Sequence, residues 1–444
     1  MKKILSASQT IQALCGEEKI EQGRDYCQSM YTMTVPCGAG TLLYHTLTGV
    51  LYLLAPNETI DANREELIRN RILVPSGVDE YRHARDIWEI LKLLSPQKKN
   101  KTAFTIFTTT DCNARCFYCY ERGIRRISMT KETAEDVAAY IARVSGGNDV
   151  DISWFGGEPL LNKTVIDIIC SELRRLGVAY RSIMTSNGYY LDAETARKAV
   201  AIWKVKRVQI TIDGTREVYN RVKAYAREDI DGFERVLNNI KYAMTVGLNV
   251  TIRLNYDASN YENVLMLVDE LHDRLGNPKG LRYMPVLLQE WGGPIQRFNS
   301  EDETIIRMKT LRNKLLSLGM LAPEKLDREI HIARCMADND ASETILPDGR
   351  IGKCEHDAEK NIVGSIYDDT RDELIINEWK ETVEYDECRT CILSSRCVQL
   401  KKCSWVSNGC SSVMRRYRIE KLQNAILNHY ECVKEKTKDS ERYN

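Results

Sequence analysis

The chain has 444 residues with 63 basic and 63 acidic side chains, so its formal net charge is zero. That balance argues against a general nucleic-acid binder, which would carry a basic excess, and no apolar run reaches the length of a membrane span. The N-terminus, MKKILSASQTIQALCGEE, has two lysines but no apolar core of a signal peptide, so a cytoplasmic protein is expected.

The length predicts two or three domains. Residues 1–95 read as a small α+β unit. YTMTVP, TLLYHTL and VLYLLA have the Tyr, Thr, Val and Leu content of short strands, with turns at CGAG and LTG, and helices follow around NREELIRN and RHARDIWEILKLL. CGAG lacks the third glycine and the helix of a phosphate loop, so it is read as a turn. SPQKKNKT is a polar linker. Residues 96–326 alternate strand and helix patterns. The strands are AFTIFTTT (103–110), VDISWFGG (150–157), RSIMTSNG (181–188), RVQITIDG (207–214), NVTIRLNYD (249–257) and GLRYMPVLL (280–288). Six such repeats predict a parallel sheet, here a partial (βα)6 barrel of the TIM type. Its functional residues are expected at the C-terminal strand ends, and PVLLQEWGG (285–293) is expected to line the substrate site. Residues 301–326 read as a connecting helix. Residues 327–444 are irregular and cysteine-rich, ending in a long amphipathic helix whose Leu422, Ile426 and Tyr430 are expected in a core.

Fifteen cysteines in a reducing compartment point to metal or catalytic use rather than disulfides. Cys15, Cys27, Cys37 and Cys170 are scattered and read as buried small apolar residues. Eight others lie after residue 330. The remaining three, Cys112, Cys116 and Cys119, sit in DCNARCFYCY just after the first barrel strand, spaced C-x3-C-x2-C. A zinc site there would want a fourth Cys or His nearby. Three thiolates suit a [4Fe–4S] cluster with one iron left open for an outside ligand.

This loop, placed after the first strand of a βα barrel, resembles the signature of radical S-adenosylmethionine (radical SAM) enzymes. The resemblance implies that Cys112, Cys116 and Cys119 hold the catalytic cluster and that SAM chelates its open iron. Further segments are similar to the family's SAM contacts: GGEP (Gly156, Gly157, Glu158), SNG (Ser186, Asn187), TIDG (Thr211, Asp213) followed by Arg221, and IRLN (Arg253, Asn255). Tyr118 matches the aromatic that lies against adenine, and Glu158 is expected to accept a hydrogen bond from the SAM amine.

The C-terminal pattern Cys335-x13-Gly349-x4-Cys354, then Cys388-x2-Cys391-x5-Cys397-x5-Cys403, then Cys410 and Cys432, resembles the SPASM extension with two auxiliary [4Fe–4S] clusters. The resemblance implies Cys335, Cys354 and Cys403 for the first cluster, which would have an open iron. It implies Cys388, Cys391, Cys397 and either Cys410 or Cys432 for the second, with Cys410 favoured by its glycine-bearing loop. Taken alone, Cys388, Cys391, Cys397 and Cys403 also suit one structural zinc. LLYHTLTGVLYLL with NRILVPSGVDE resembles the leader-recognition unit of peptide maturases; an accessory packing domain is the plainer reading. Together these imply a maturase of a ribosomally made precursor peptide with a leader, closing a thioether or carbon–carbon crosslink, supplied by a low-potential donor such as flavodoxin or ferredoxin. A formylglycine-forming sulfatase-type maturase and a non-catalytic zinc-binding interaction protein are the alternatives.

Overall fold

The computed structural model describes residues 1–442 except 17, 19, 96–99, 227–230, 291–293, 333–334, 358 and 404–409. Part of the 285–293 segment expected at the substrate site, 291–293, therefore lies outside the described residues.

The chain divides into two units. The second comprises Gln97–Ala322 and Cys335–Lys380. Its six expected strands are present: Ala103–Thr109, Val150–Gly156, Tyr180–Ser186, Val205–Thr211, Asn249–Tyr256 and Leu281–Leu287. They pair in parallel, in chain order, with helices between them. This is the mixed α/β, partial TIM-type barrel expected. The second strand alternates over its first five residues. Val150, Ile152 and Trp154 are buried beneath the helices, whereas Asp151 and Ser153 face the other way, as a period of two requires. Three of the helices start on side-chain caps: Thr130, Asp192 and Asp231 each accept an N–H from the first turn.

The sheet has three further strands that the sequence patterns do not reveal. Ser342–Ile345 pairs in parallel with the first barrel strand, and Arg350–Gly352 and Ile362–Ser365 continue from it antiparallel. Their brevity explains the miss, since three or four residues hold too little alternation to read. The consequence is a correction to the expected division at 327–444. Cys335 and Cys354 belong to the barrel unit, while Cys388, Cys391, Cys397, Cys403, Cys410 and Cys432 belong to the other. The connecting helix is also shorter than expected, ending at Ser317.

The first unit comprises Met1–Pro96, Pro323–Arg334 and Glu381–Asn444. Four antiparallel strands run in the order Lys2–Leu5, Leu51–Leu54, Gly40–His45, Thr32–Cys37. One face sets Met33, Val35, Leu42 and Tyr44 against Ile426 and Tyr430 of the final helix, with Leu422 at the margin. The other sets Leu43, Val50 and Tyr52 against Leu67, Ile68 and Ile72. Of the scattered cysteines, Cys170 is buried as expected, but Cys27 is exposed and Cys15 and Cys37 are half-buried. No helix among the described residues is long and apolar enough to cross a membrane.

His45 is sealed in this unit, with Nε2 3.1 Å from Ser29 Oγ and Nδ1 2.9 Å from Thr48 Oγ1. Burial, with Arg71 and Arg396 adding to it, lowers its pKa to about 3. A histidine depressed in the folded state contributes stability above its unfolded pKa and loses it as pH falls toward the folded one. Unfolding of the first unit is therefore expected to become easier between about pH 6.5 and pH 4, with a shallower slope in His45→Gln, read by chemical denaturation at each pH.

Candidate active site

The cysteine loop leaves the first barrel strand at Thr109. What meets it there depends on two glycines at the end of the second strand. Gly156 has φ of +117°, and a Cβ on it would stand 2.1 Å from the Thr109 carbonyl oxygen; one on Gly157 would stand 2.3 Å from that of Asp111. Only glycine permits this approach. It allows the Gly157 N–H to reach Thr109 O at 3.1 Å and the Glu158 N–H to reach Asp111 O at 2.9 Å.

Glu158 is fully buried. Its Oε1 accepts from the Leu160 N–H at 3.1 Å and the Ser186 hydroxyl at 2.8 Å, and its Oε2 from the Asn187 N–H at 2.7 Å. Burial raises its pKa to about 7, against these hydrogen bonds. A carboxylate without exposed surface and with three protein donors ties the second strand's exit to the third's. Asn187 carries the tie onward, donating from Nδ2 to Asn113 Oδ1 at 2.8 Å and to Cys112 Sγ at 3.8 Å.

A second clamp joins the loop to the fourth strand. The Tyr118 hydroxyl donates to Asp213 Oδ1 at 2.8 Å, and Lys223 Nζ lies 2.9 Å from Asp213 Oδ2 and 3.3 Å from the Tyr118 oxygen. The Lys223 and Asp213 side chains are 3% and 1% exposed. Burial works against the lysine's charge, but Asp213, Cys116 and two tyrosines hold its pKa well above the ordinary value. Backbone bonds run alongside, from the Arg115 N–H to Lys223 O at 2.7 Å and from the Ala226 N–H to Asn113 O at 2.8 Å. Tyr118 is thus half-buried with its hydroxyl anchored. Arg221, the cation expected in the site, is exposed on the same helix; the charge that enters is Lys223, two residues on. Sequence reading missed Lys223 because a lysine in a polar helix looks solvated.

Across the mouth, Thr211 stands opposite Arg253 in register. Arg253 Nε donates to Asn255 Oδ1 at 2.8 Å, and Asn260 bridges the carbonyls of Asp213 and Asn255 at 2.8 and 3.1 Å. The Tyr120 ring lies 4.3 Å from His356, beside Cys354 in sequence. The expected residues at the ends of strands one to five thus share one end of the barrel.

The three loop thiols are half-buried. Burial pushes Cys112 up to about 12, with Glu158 adding, and Cys119 up to about 11; it raises Cys116 as well, against Lys223. Among the described residues no group of three or more His, Cys, Asp or Glu is placed to hold a single metal ion. In the other unit, Cys388 and Cys391 each feel the charges of Cys397 and Cys410, whereas Cys432 is exposed on the final helix.

Lys223→Met leaves Asp213 buried without its cation and is expected to destabilise the barrel unit by about 3–5 kcal/mol. The double variant Lys223→Met/Asp213→Asn is expected to recover most of that loss in thermal denaturation. Gly157→Ala is expected to cost about 1–3 kcal/mol by overpacking.

Residues 106–271 match the family model described as the radical SAM superfamily. Two curated relatives are named probable GTP 3',8-cyclase. That of Saccharolobus islandicus is 32% identical over 177 residues, 38% of this chain and 53% of the relative. That of Thermococcus kodakarensis is 29% identical over 157 residues, 34% and 48%. The chain spans about half the length of these relatives. Among solved structures, anSMEcpe with bound AdoMet aligns with a TM-score of 0.55 at 14% identity, over 75% of this chain and 96% of that one. Streptococcus suis SuiB bound to precursor peptide SuiA aligns with a TM-score of 0.52 at 13% identity, over 87% and 95%. At such identities the likeness concerns the fold alone. The family model covers the first five barrel strands and the cysteine loop, so the likeness to that superfamily lies in the part of the chain that holds the three loop thiols.

Proposed function

We propose that this chain is a radical SAM peptide maturase, acting on a ribosomally made precursor peptide to close a thioether or carbon–carbon crosslink. The observation that carries the chemistry is the loop with three thiols and no fourth, clamped at the strand ends. Three cysteines on one short loop fit a [4Fe–4S] cluster with an open iron, and the polar strand ends beside them fit SAM. When bound, the cluster and SAM would supply a 5′-deoxyadenosyl radical that abstracts hydrogen from an unactivated carbon.

The chain's own residues have separate tasks in this reading. Cys112, Cys116 and Cys119 give up their protons to become ligands. Because burial holds the thiols up, loading releases protons and is favoured at higher pH. The Gly156–Gly157 backbone, Ser186 and Asn187 form one wall of the SAM site; Thr211, Asp213, Arg253 and Asn255 form the other, with the Tyr118 ring between. Cys388, Cys391, Cys397 and Cys410 are assigned to an auxiliary cluster, and Cys335 and Cys354 to ligation of another. A low-potential flavodoxin or ferredoxin would deliver electrons.

A peptide substrate is supported by the extent of the fold likeness. SuiB, solved with its precursor peptide, aligns over 87% of this chain, whereas the relative named for GTP chemistry matches 38% of it. A nucleotide substrate is the second reading, favoured by the 32% identity over those 177 residues. The two separate in one experiment. Anaerobically reconstituted protein is incubated with SAM, reductant and either a candidate precursor peptide or GTP. The proposal expects 5′-deoxyadenosine and a peptide lighter by two hydrogens in mass spectrometry, with GTP unchanged; consumption of GTP alone would favour the second reading. The Cys112/Cys116/Cys119→Ala triple variant is expected to make no 5′-deoxyadenosine while keeping auxiliary iron, out of about twelve irons for three full clusters.

A further inference from the structure

The interior of a closed TIM barrel is filled by layers of side chains. Here the end opposite the cysteine loop holds a cavity of about 550 Å3, within the roughly 300–1,000 Å3 range of small-molecule sites. Its walls are the N-terminal halves of the barrel strands. On the first strand its lining ends at Thr105, four residues before Thr109, where the cysteine loop leaves, so at about 3.3 Å per residue the cavity's near wall lies about 13 Å from that loop's root. Nothing in the chemistry of that loop uses it.

The side chains it receives are set by register. Arg181 on the third strand, Arg207 on the fourth, Asn249 on the fifth and Arg282 on the sixth line it. All are exposed, and on their strands they alternate with the buried Val208, Val250 and Tyr283. Lys206 adds a fourth cation and Asp151 a single carboxylate. Asp151 is committed to Arg181, which grips it through Nε and, at 3.0 Å, through Nη2. Lys206, Arg207 and Arg282 make no ion pair among the described residues. Three uncompensated cations thus share one cavity in a chain of zero net charge, where each raises the cost of the others. An anion relieves that repulsion.

We propose that this cavity binds a small molecule carrying a phosphate chain. Guanidinium groups match phosphate oxygens in a planar, two-pronged geometry. Arg207 stands level with Asn249 and Arg282 with Thr251, so the two lie two strands and two residues apart, about 12 Å at the usual strand spacing and rise. A chain of two or three phosphates spans the gap between the two side chains, each guanidinium taking its own phosphate. The apolar part of the wall, Ile183 at 41% exposure and Met336, offers a place for an organic moiety. The site is independent of the reading given for the cysteine loop, and neither falls with the other.

The test is calorimetric titration of the anaerobically purified full chain with inorganic pyrophosphate and, separately, with ADP. Saturable one-to-one binding of at least one is expected. Tighter binding of ADP identifies a nucleotide as the ligand type, and equal binding identifies the phosphate chain alone. Arg207→Glu and Arg282→Glu are expected to weaken binding at least tenfold, and Arg207→Gln severalfold, with iron content unchanged. Lys241→Glu, which reverses a charge at an exposed helix position, is expected to leave binding within twofold. Absence of saturable binding to both probes, or equal weakening by Lys241→Glu, would overturn the proposal.

Discussion

The buried carboxylate of Glu158 is the constraint on which the cysteine-loop end of the barrel depends. An ionisable group without exposed surface must find donors inside the protein, and Glu158 takes them from Leu160, Ser186 and Asn187. This fixes the exits of the second and third strands against each other. Gly156 and Gly157 bring the same segment so close to Thr109 and Asp111 that no side chain fits between. Three strand exits and the root of the cysteine loop therefore move as one piece.

The Tyr118–Asp213–Lys223 cluster holds the loop from the other side. A buried ion pair of this kind adds little net stability, because desolvation offsets its attraction; breaking it by removing one partner is what destabilises strongly. We read its value here as positional. Tyr118 lies between Cys116 and Cys119, so anchoring its hydroxyl constrains both neighbouring thiols. A site whose ligands are held before the metal arrives loses less conformational freedom on loading. The backbone bonds from Arg115 and Ala226 reinforce the same constraint.

Much of the fold was legible because long alternating strands and capped helices carry strong local signals. All six barrel strands lie within two residues of their expected positions at the N-terminal end. The short strands Ser342–Ile345, Arg350–Gly352 and Ile362–Ser365 were not legible, because pairing to the first barrel strand, and not local pattern, makes them strands. The division of the cysteine-rich C-terminal region between two units follows from that pairing. At the site, cysteine spacing and the GGEP and SNG segments were readable as motifs, but their roles were not. Glu158 braces two strand exits, and only the fold reveals that Ser186 and Asn187 reach it. Lys223 is buried because the helix turns it toward Asp213, and no feature of YNRVK distinguishes it from the exposed Arg221.

The central claim is that the three loop cysteines hold a cluster with a position left for SAM. Electron paramagnetic resonance of the reduced, anaerobically reconstituted protein tests it most directly, recorded with and without SAM. The component that disappears in the Cys112/Cys116/Cys119→Ala variant is predicted to change its g-values when SAM is added. A component from these cysteines that ignores SAM, or a spectrum that the triple variant leaves intact, would contradict the account.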